Sequence, residues 1–190
     1  IITTKLTGGM LLLLLFMSLL TLFYCFPFNS VNKNLRKTPG LKIFIVATVW
    51  SLLIVVFPII NFTEKLDVSF LIFFVQVLIF VIATIFPFEI RDLNSDCKQL
   101  RTIPQIIGVK NTKVLGFCLL LIFMILDCIQ YLILNFISFK SILINAAICL
   151  TTFNLILKSK ENQSIYFSSF WVESLPILWL LLYIIYDIPA

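Results

Sequence analysis

The chain contains no histidine, and this absence removes several common functional sites from consideration. Ser–His and Cys–His catalysis needs an imidazole base, and many transition-metal sites use imidazole ligands. The five cysteines form no Cys-x-x-Cys pair, and four of them lie in apolar stretches. That placement is typical of small buried residues rather than of a disulfide framework or a zinc site.

Charged residues are scarce, at 12% of the 190 residues, whereas a soluble domain has about a quarter. Hydrophobic residues make up 61% of the chain, and the mean hydropathy is +1.12. A surface of this composition suits lipid rather than water. The composition therefore predicts an integral membrane protein of the all-α class: one domain built as a polytopic transmembrane helical bundle.

Six apolar stretches approach the length of about 20 residues that lets a helix cross a bilayer. The fifth is the weakest, because it is short and carries Asn145, Thr151, Thr152 and Asn154. Such side chains more often connect helices than face lipid. The six predicted spans are 10–28, 41–60, 68–88, 114–134, 141–157 and 170–186.

The segments between the predicted spans alternate in charge. The segments 29–40, 89–113 and 158–169, counted with Lys42, carry 11 of the 14 basic residues. Cytoplasmic segments of membrane proteins are enriched in Lys and Arg. The bias predicts a protein of the bacterial inner membrane with the loop 89–113 in the cytoplasm. It also accounts for most of the net charge of +5 without a nucleic-acid partner.

The predicted loop 89–113 combines acidic and basic side chains. If the third span continues as a helix beyond the membrane surface, Glu89, Asp92 and Asp96 share one face, because they are three and four residues apart. Such carboxylates repel unless a cation lies between them, and Mg²⁺ prefers a few carboxylates plus phosphate oxygens. The pattern is consistent with a metal–diphosphate ligand, although charged loops next to membranes also produce it. The nearby cations that could help to bind an anion are Arg91, Lys98 and Arg101.

A longer pattern surrounds these acids. Asp92-x-x-x-Asp96 is followed by Arg101-Thr102-Ile103-Pro104 and then by Gly108. This segment resembles the second aspartate-rich motif of the UbiA family of membrane prenyltransferases. Upstream, a helix ending near Tyr24, a basic loop and a helix bearing Trp50 are similar to the family's pattern of spans.

The resemblance implies a bundle of nine spans, of which six are in this chain, with the active site near the cytoplasmic face. It implies Mg²⁺-dependent transfer of a prenyl group from a prenyl diphosphate to a lipophilic or aromatic acceptor. Asp92 and Asp96, together with Glu89, would bind the metal and the diphosphate, and Tyr24 would line the substrate cavity. The diphosphate contacts that the resemblance suggests are Lys98 and Arg101, with Arg36 and Lys37 as further candidates.

The sequence also departs from the family. The first aspartate-rich motif, of the type Asn-Asp-x-x-Asp, is absent, and no acidic residue precedes Glu64. The missing motif and the start at Ile1 predict the C-terminal part of a longer enzyme, which is expected to be inactive as this chain alone. Two alternatives stay open: a non-catalytic relative that binds isoprenoid diphosphate, and a transporter or scaffold subunit.

Asp127 lies in the middle of the fourth predicted span. An acid at that depth usually faces the interior of a bundle or a cavity. One interpretation is a role in the substrate cavity. The favoured one is an interhelical hydrogen bond to a group such as Asn145, Thr151 or Asn154.

Overall fold

A computed structural model describes residues 7–25, 40–62, 67–95 and 100–187 of the chain. Within these ranges the regular secondary structure is entirely helical, so the all-α class is confirmed. The α-helices are α1 (Gly8–Cys25), α2 (Leu41–Ser51), α3 (Phe57–Phe62), α4 (Val68–Arg91), α5 (Ile103–Leu132), α6 (Phe139–Lys158) and α7 (Leu175–Asp187). A π-helical segment, Leu52–Val56, connects α2 to α3, and a second one, Phe167–Val172, precedes α7. A 3₁₀ turn, Asp92–Asn94, extends α4.

Five helical stretches are long and apolar enough to cross a membrane, and α1 is a shorter apolar helix. Large hydrophobic side chains remain exposed along these helices, among them Leu71 (64%), Ile125 (58%) and Leu150 (63%). Lipid chains satisfy such surfaces, so the chain is an integral membrane protein of several helices. The five stretches are Leu41–Ile60, Val68–Asn94, Ile103–Leu132, Phe139–Lys158 and Phe167–Tyr186.

Prolines explain the irregular helical segments. A proline cannot donate a backbone hydrogen bond, and its ring clashes with the carbonyl four residues earlier. The π-helical segment Leu52–Val56 comes directly before Pro58, and the Phe57 N–H donates to Leu52, five residues back. The segment Phe167–Val172 likewise comes shortly before Pro176, which lies in the first turn of α7. Wider turns of this kind accommodate the backbone change around a proline.

The helices form two compact units. The first unit contains α1, α2, α3 and α4 as far as Val81. Its core includes Val55, Ile59 and Val77, with phenylalanines of α4 packed around them. Helix α1 contacts α2 and α3, and a Cβ atom on Gly9 would lie 3.1 Å from Ile60.

The second unit contains α4 from Ile82, together with α5, α6 and α7. Helix α6 packs against both α5 and α7. At Gly116 a Cβ atom would lie 3.1 Å from Phe86 and 3.1 Å from Ile156, so α4, α5 and α6 approach one another closely there. Small residues permit such close packing of helices in membranes.

The segment 89–113, predicted as a loop, is largely helical in the described residues. Helix α4 runs on to Arg91, and α5 already begins at Ile103, after Thr102 as N-cap and with Pro104 in its first turn. Gly108 interrupts α5 with a non-helical backbone (φ 79°, ψ 159°), which glycine adopts at little cost. The prediction took the ends of the apolar stretches for helix ends, but backbone hydrogen bonding continues past the point where hydrophobicity stops.

Candidate functional site

Only some of the residues predicted for the site have a described position. Glu89, Asp92, Arg101 and Asp127 are described, and Tyr24 lies in α1 without a described side chain. The predictions for Asp96, Lys98, Arg36 and Lys37 lie outside the described residues. The geometry below therefore concerns the end of the second unit, where α4 ends, α5 begins, and α6 leads into α7.

Arg91 and Asp92 form the best-defined charged pair at this end. The Arg91 Nε atom lies 2.6 Å from Asp92 Oδ1, and Nη2 donates to Oδ2 at 3.0 Å. The third guanidinium nitrogen, Nη1, donates to the Ser168 hydroxyl at 2.6 Å. The guanidinium carbon lies 5.5 Å from the centre of the Phe88 ring, within the range of a cation–π contact. Both oxygens of Asp92, predicted to bind a metal, thus accept hydrogen bonds from Arg91.

Glu89 differs from Asp92 in its surroundings. Its side chain is 2% exposed, and it interacts within the protein, whereas Asp92 is 29% exposed. In the part of the chain that the structure describes, no three acidic, cysteine or histidine side chains are grouped so as to hold a metal ion. Mg²⁺ binding by Asp92, Asp96 and Glu89 stays a prediction.

The segment between α6 and α7 is fastened to the end of α4 by side-chain hydrogen bonds. Gln163 Nε2 donates to the Pro87 carbonyl at 2.8 Å, and Asn94 Nδ2 donates to Glu161 at 3.2 Å. Ser168 completes the contact through Arg91. None of these three pairings was predicted, because their partners are 67 to 77 residues apart and carry no sequence signal.

Four lysines lie at the ends of α5 and α6 on this side of the unit. Lys113 Nζ donates to the Leu157 carbonyl at 2.7 Å, while Lys110, Lys158 and Lys160 are exposed. Among the described residues, none of the four has an acidic side chain within ion-pair distance. Lys113 precedes the apolar stretch that begins at Val114.

Arg101 and Thr102 occupy the start of α5. Arg101 is exposed and has a positive φ of 43°, which non-glycine residues seldom adopt. The Thr102 N–H donates to Gln105 Oε1 at 3.1 Å. Thr102 and Gln105 form a capping box at the start of α5, and the Thr102 hydroxyl is buried.

Asp127 lies in a hydrogen-bonded network inside the helices of the second unit. Asn145 Nδ2 donates to both Asp127 oxygens, at 2.9 and 3.2 Å. The Asn145 carbonyl oxygen accepts from Trp179 Nε1 at 2.9 Å and from the Tyr183 hydroxyl at 3.4 Å. The predicted interhelical hydrogen bond is thus confirmed, and Asn145 is the partner. Thr151 and Asn154, the other candidates, bond to carbonyls of their own helix.

No family model, curated protein or solved structure matches this chain.

Proposed function

We propose that this chain is a UbiA-type protein of the bacterial inner membrane. It binds the diphosphate of a prenyl donor at the cytoplasmic end of the second unit. The observation that carries this proposal is the placement of Arg91 at the end of α4. Asp92 and Ser168 hold its guanidinium in one orientation, and the planar guanidinium matches phosphate oxygens in paired hydrogen bonds.

Thr102 and Pro104 follow Asp92 and Asp96 in the pattern that resembles the family motif, and they begin α5 in the second unit.

The reaction that we propose is prenyl transfer. The bond between the prenyl carbon and the diphosphate oxygen breaks, and the oxygen keeps the electron pair. The acceptor attacks the cationic carbon and loses a proton to water or to the released diphosphate. Arg91 would stabilise the charge that develops on the leaving diphosphate. Mg²⁺, which Asp92 and Asp96 would hold, stays a prediction.

A second candidate is non-catalytic binding of the same diphosphate. One observation favours it: the Asp92 carboxylate is paired with Arg91. The two candidates share the binding site and differ only in turnover.

Binding to the full chain in nanodiscs tests the site. The probe is radiolabelled geranylgeranyl diphosphate, measured with and without Mg²⁺. We expect Asp92→Ala, Asp96→Ala and Arg91→Lys each to weaken binding at least about tenfold, the value of one charge-assisted hydrogen bond. The matched control is Asp67→Asn, since Asp67 lies at the opposite end of α4 and asparagine can also accept the hydrogen bond from Val68 N–H.

Two results decide the outcome. If the Asp92 and Asp96 variants bind the probe as well as the unaltered chain does, the site assignment is wrong. Release of diphosphate in the presence of an aromatic acceptor separates the two candidates, because only the enzyme produces it.

A further inference from the structure

The lysines in the first half of α5 and at the end of α6 lie next to an exposed apolar surface. One helical turn beyond Lys113, the rings of Phe117 and Phe153 pack together with their centres 5.0 Å apart. Phe117 is 40% exposed and Leu157 is 48% exposed, so this part of the seam between the two helices is open to its surroundings. Cationic side chains thus lie directly above an exposed apolar strip.

Further along α5, exposed apolar side chains of this helix line an open groove. The groove has a volume of about 310 Å³ and an almost wholly apolar wall, which includes Leu121, Met124 and Cys128. Phe117 and Leu121 follow Lys113 at intervals of four residues, so they succeed one another along neighbouring turns. From Lys113 to Leu132 the helix rises by roughly 28 Å, about the thickness of the hydrocarbon layer of a membrane.

The positive charge of the cluster is not balanced by an acidic side chain within the described residues. Lys113 Nζ donates to the Leu157 carbonyl, three residues before Lys160, and neither lysine has an acidic partner at ion-pair distance in that part of the chain. An anion between them would balance this charge. Basic pockets between membrane helices bind anionic lipid headgroups in this way.

We infer that this surface is a binding site for one anionic phospholipid of the surrounding membrane. Its phosphate lies on Lys113 and Lys160, with Lys110 and Lys158 at the rim, and one acyl chain lies along Phe117 into the groove of α5. The lysines match the anionic headgroup of a phospholipid, and the apolar strip and the groove that follow along α5 match its acyl chain. The site uses other residues than Arg91 and Asp92, and it does not depend on prenyl diphosphate binding.

Native mass spectrometry of the full chain tests this inference. The protein is extracted from nanodiscs that contain phosphatidylglycerol and phosphatidylcholine with identical acyl chains, and the retained lipid is counted. We expect preferential retention of one phosphatidylglycerol. Lys113→Gln and Lys160→Gln should each lower that retention about fivefold, the contribution of one basic residue at a membrane surface. Lys160 is exposed, so its substitution leaves the packing of the helices intact.

The control is Lys140→Gln, which removes an equal charge from an exposed lysine at the other end of α6. It should leave the retention unchanged. Equal retention by all variants, or an equal loss in the Lys140 variant, would overturn the proposal. If inorganic diphosphate or geranylgeranyl diphosphate displaces the retained lipid, the lysines bind a free diphosphate instead. Loss of probe binding in the Asp92 variant with normal lipid retention would leave this inference intact.

Discussion

Asn145 connects three helices of the second unit through a single side chain. Its amide donates to Asp127 of α5 and accepts from Trp179 and Tyr183 of α7, while Asn145 itself belongs to α6. Inside a membrane, where water does not compete, such a network fixes how helices are rotated against each other.

Asn145→Ala is therefore expected to lower the free energy of unfolding by about 2 kcal/mol, since Asp127 loses the amide donor and two other groups lose their acceptor. Unfolding in a titration with denaturing detergent, followed by tryptophan fluorescence, measures this change. Asn154→Ala is the control, because Asn154 is exposed and its side chain donates to the Leu150 carbonyl of its own helix. A loss below about 0.5 kcal/mol for Asn145→Ala would show that the network contributes little.

Residue identity predicted this network only in part. An acid in the middle of an apolar stretch predicts a polar partner on another helix, and three candidates fitted equally well. Packing selected Asn145, because Thr151 and Asn154 are exposed on other sides of α6. Asp92 shows the same limit: its sequence neighbours suggested a metal, and its position at the end of α4 places it against Arg91.

At the scale of elements, Gly116 permits the close contact of α4, α5 and α6. Gly116→Val adds three carbon atoms where Phe86 and Ile156 already leave only 3.1 Å for the first of them. Overpacking of this kind costs about 1 to 3 kcal/mol. The loss is measured in the same detergent titration. The control is Gly8→Val at the start of α1, where a Cβ atom meets nothing within 4 Å; similar losses in both variants would contradict the packing argument.

The sequence predicted the helices more closely than it predicted the residues at which they begin and end. Apolar stretches of sufficient length predict helices in lipid, because an unsatisfied backbone is too costly there. Their ends depend on local chemistry instead. Thr102, Pro104 and Gln105 start α5 eleven residues before the apolar stretch at Val114, and Gly108 interrupts it.

At the scale of the whole molecule, α6 lies between two segments of the chain that differ in charge. It is 20 residues long, or roughly 30 Å, enough to cross the membrane. Ser138 precedes it and Ser164 follows it, and both are exposed caps that accept a hydrogen bond from a nearby backbone N–H. The charge bias predicts that Ser164 faces the cytoplasm.

We expect Ser138→Cys and Ser164→Cys to react with a membrane-impermeant maleimide from opposite sides. The native cysteines are first replaced by alanine. In cells whose outer membrane has been permeabilised, only the Ser138 variant should be labelled. In inverted inner-membrane vesicles, only the Ser164 variant should be labelled. Labelling of both variants from one side would show that α6 does not cross the membrane.

The sequence by itself determined the class of this protein. With 61% hydrophobic and 12% charged residues, the chain requires lipid as its solvent and helix as its backbone structure. It also placed an acid–base segment after the third predicted span. Only the tertiary structure decided the partners: Arg91 with Ser168, Asp127 with Asn145, and Lys113 with the Leu157 carbonyl. Composition and periodicity act along the chain, whereas hydrogen bonds and charge pairs form between residues that packing brings together from distant positions.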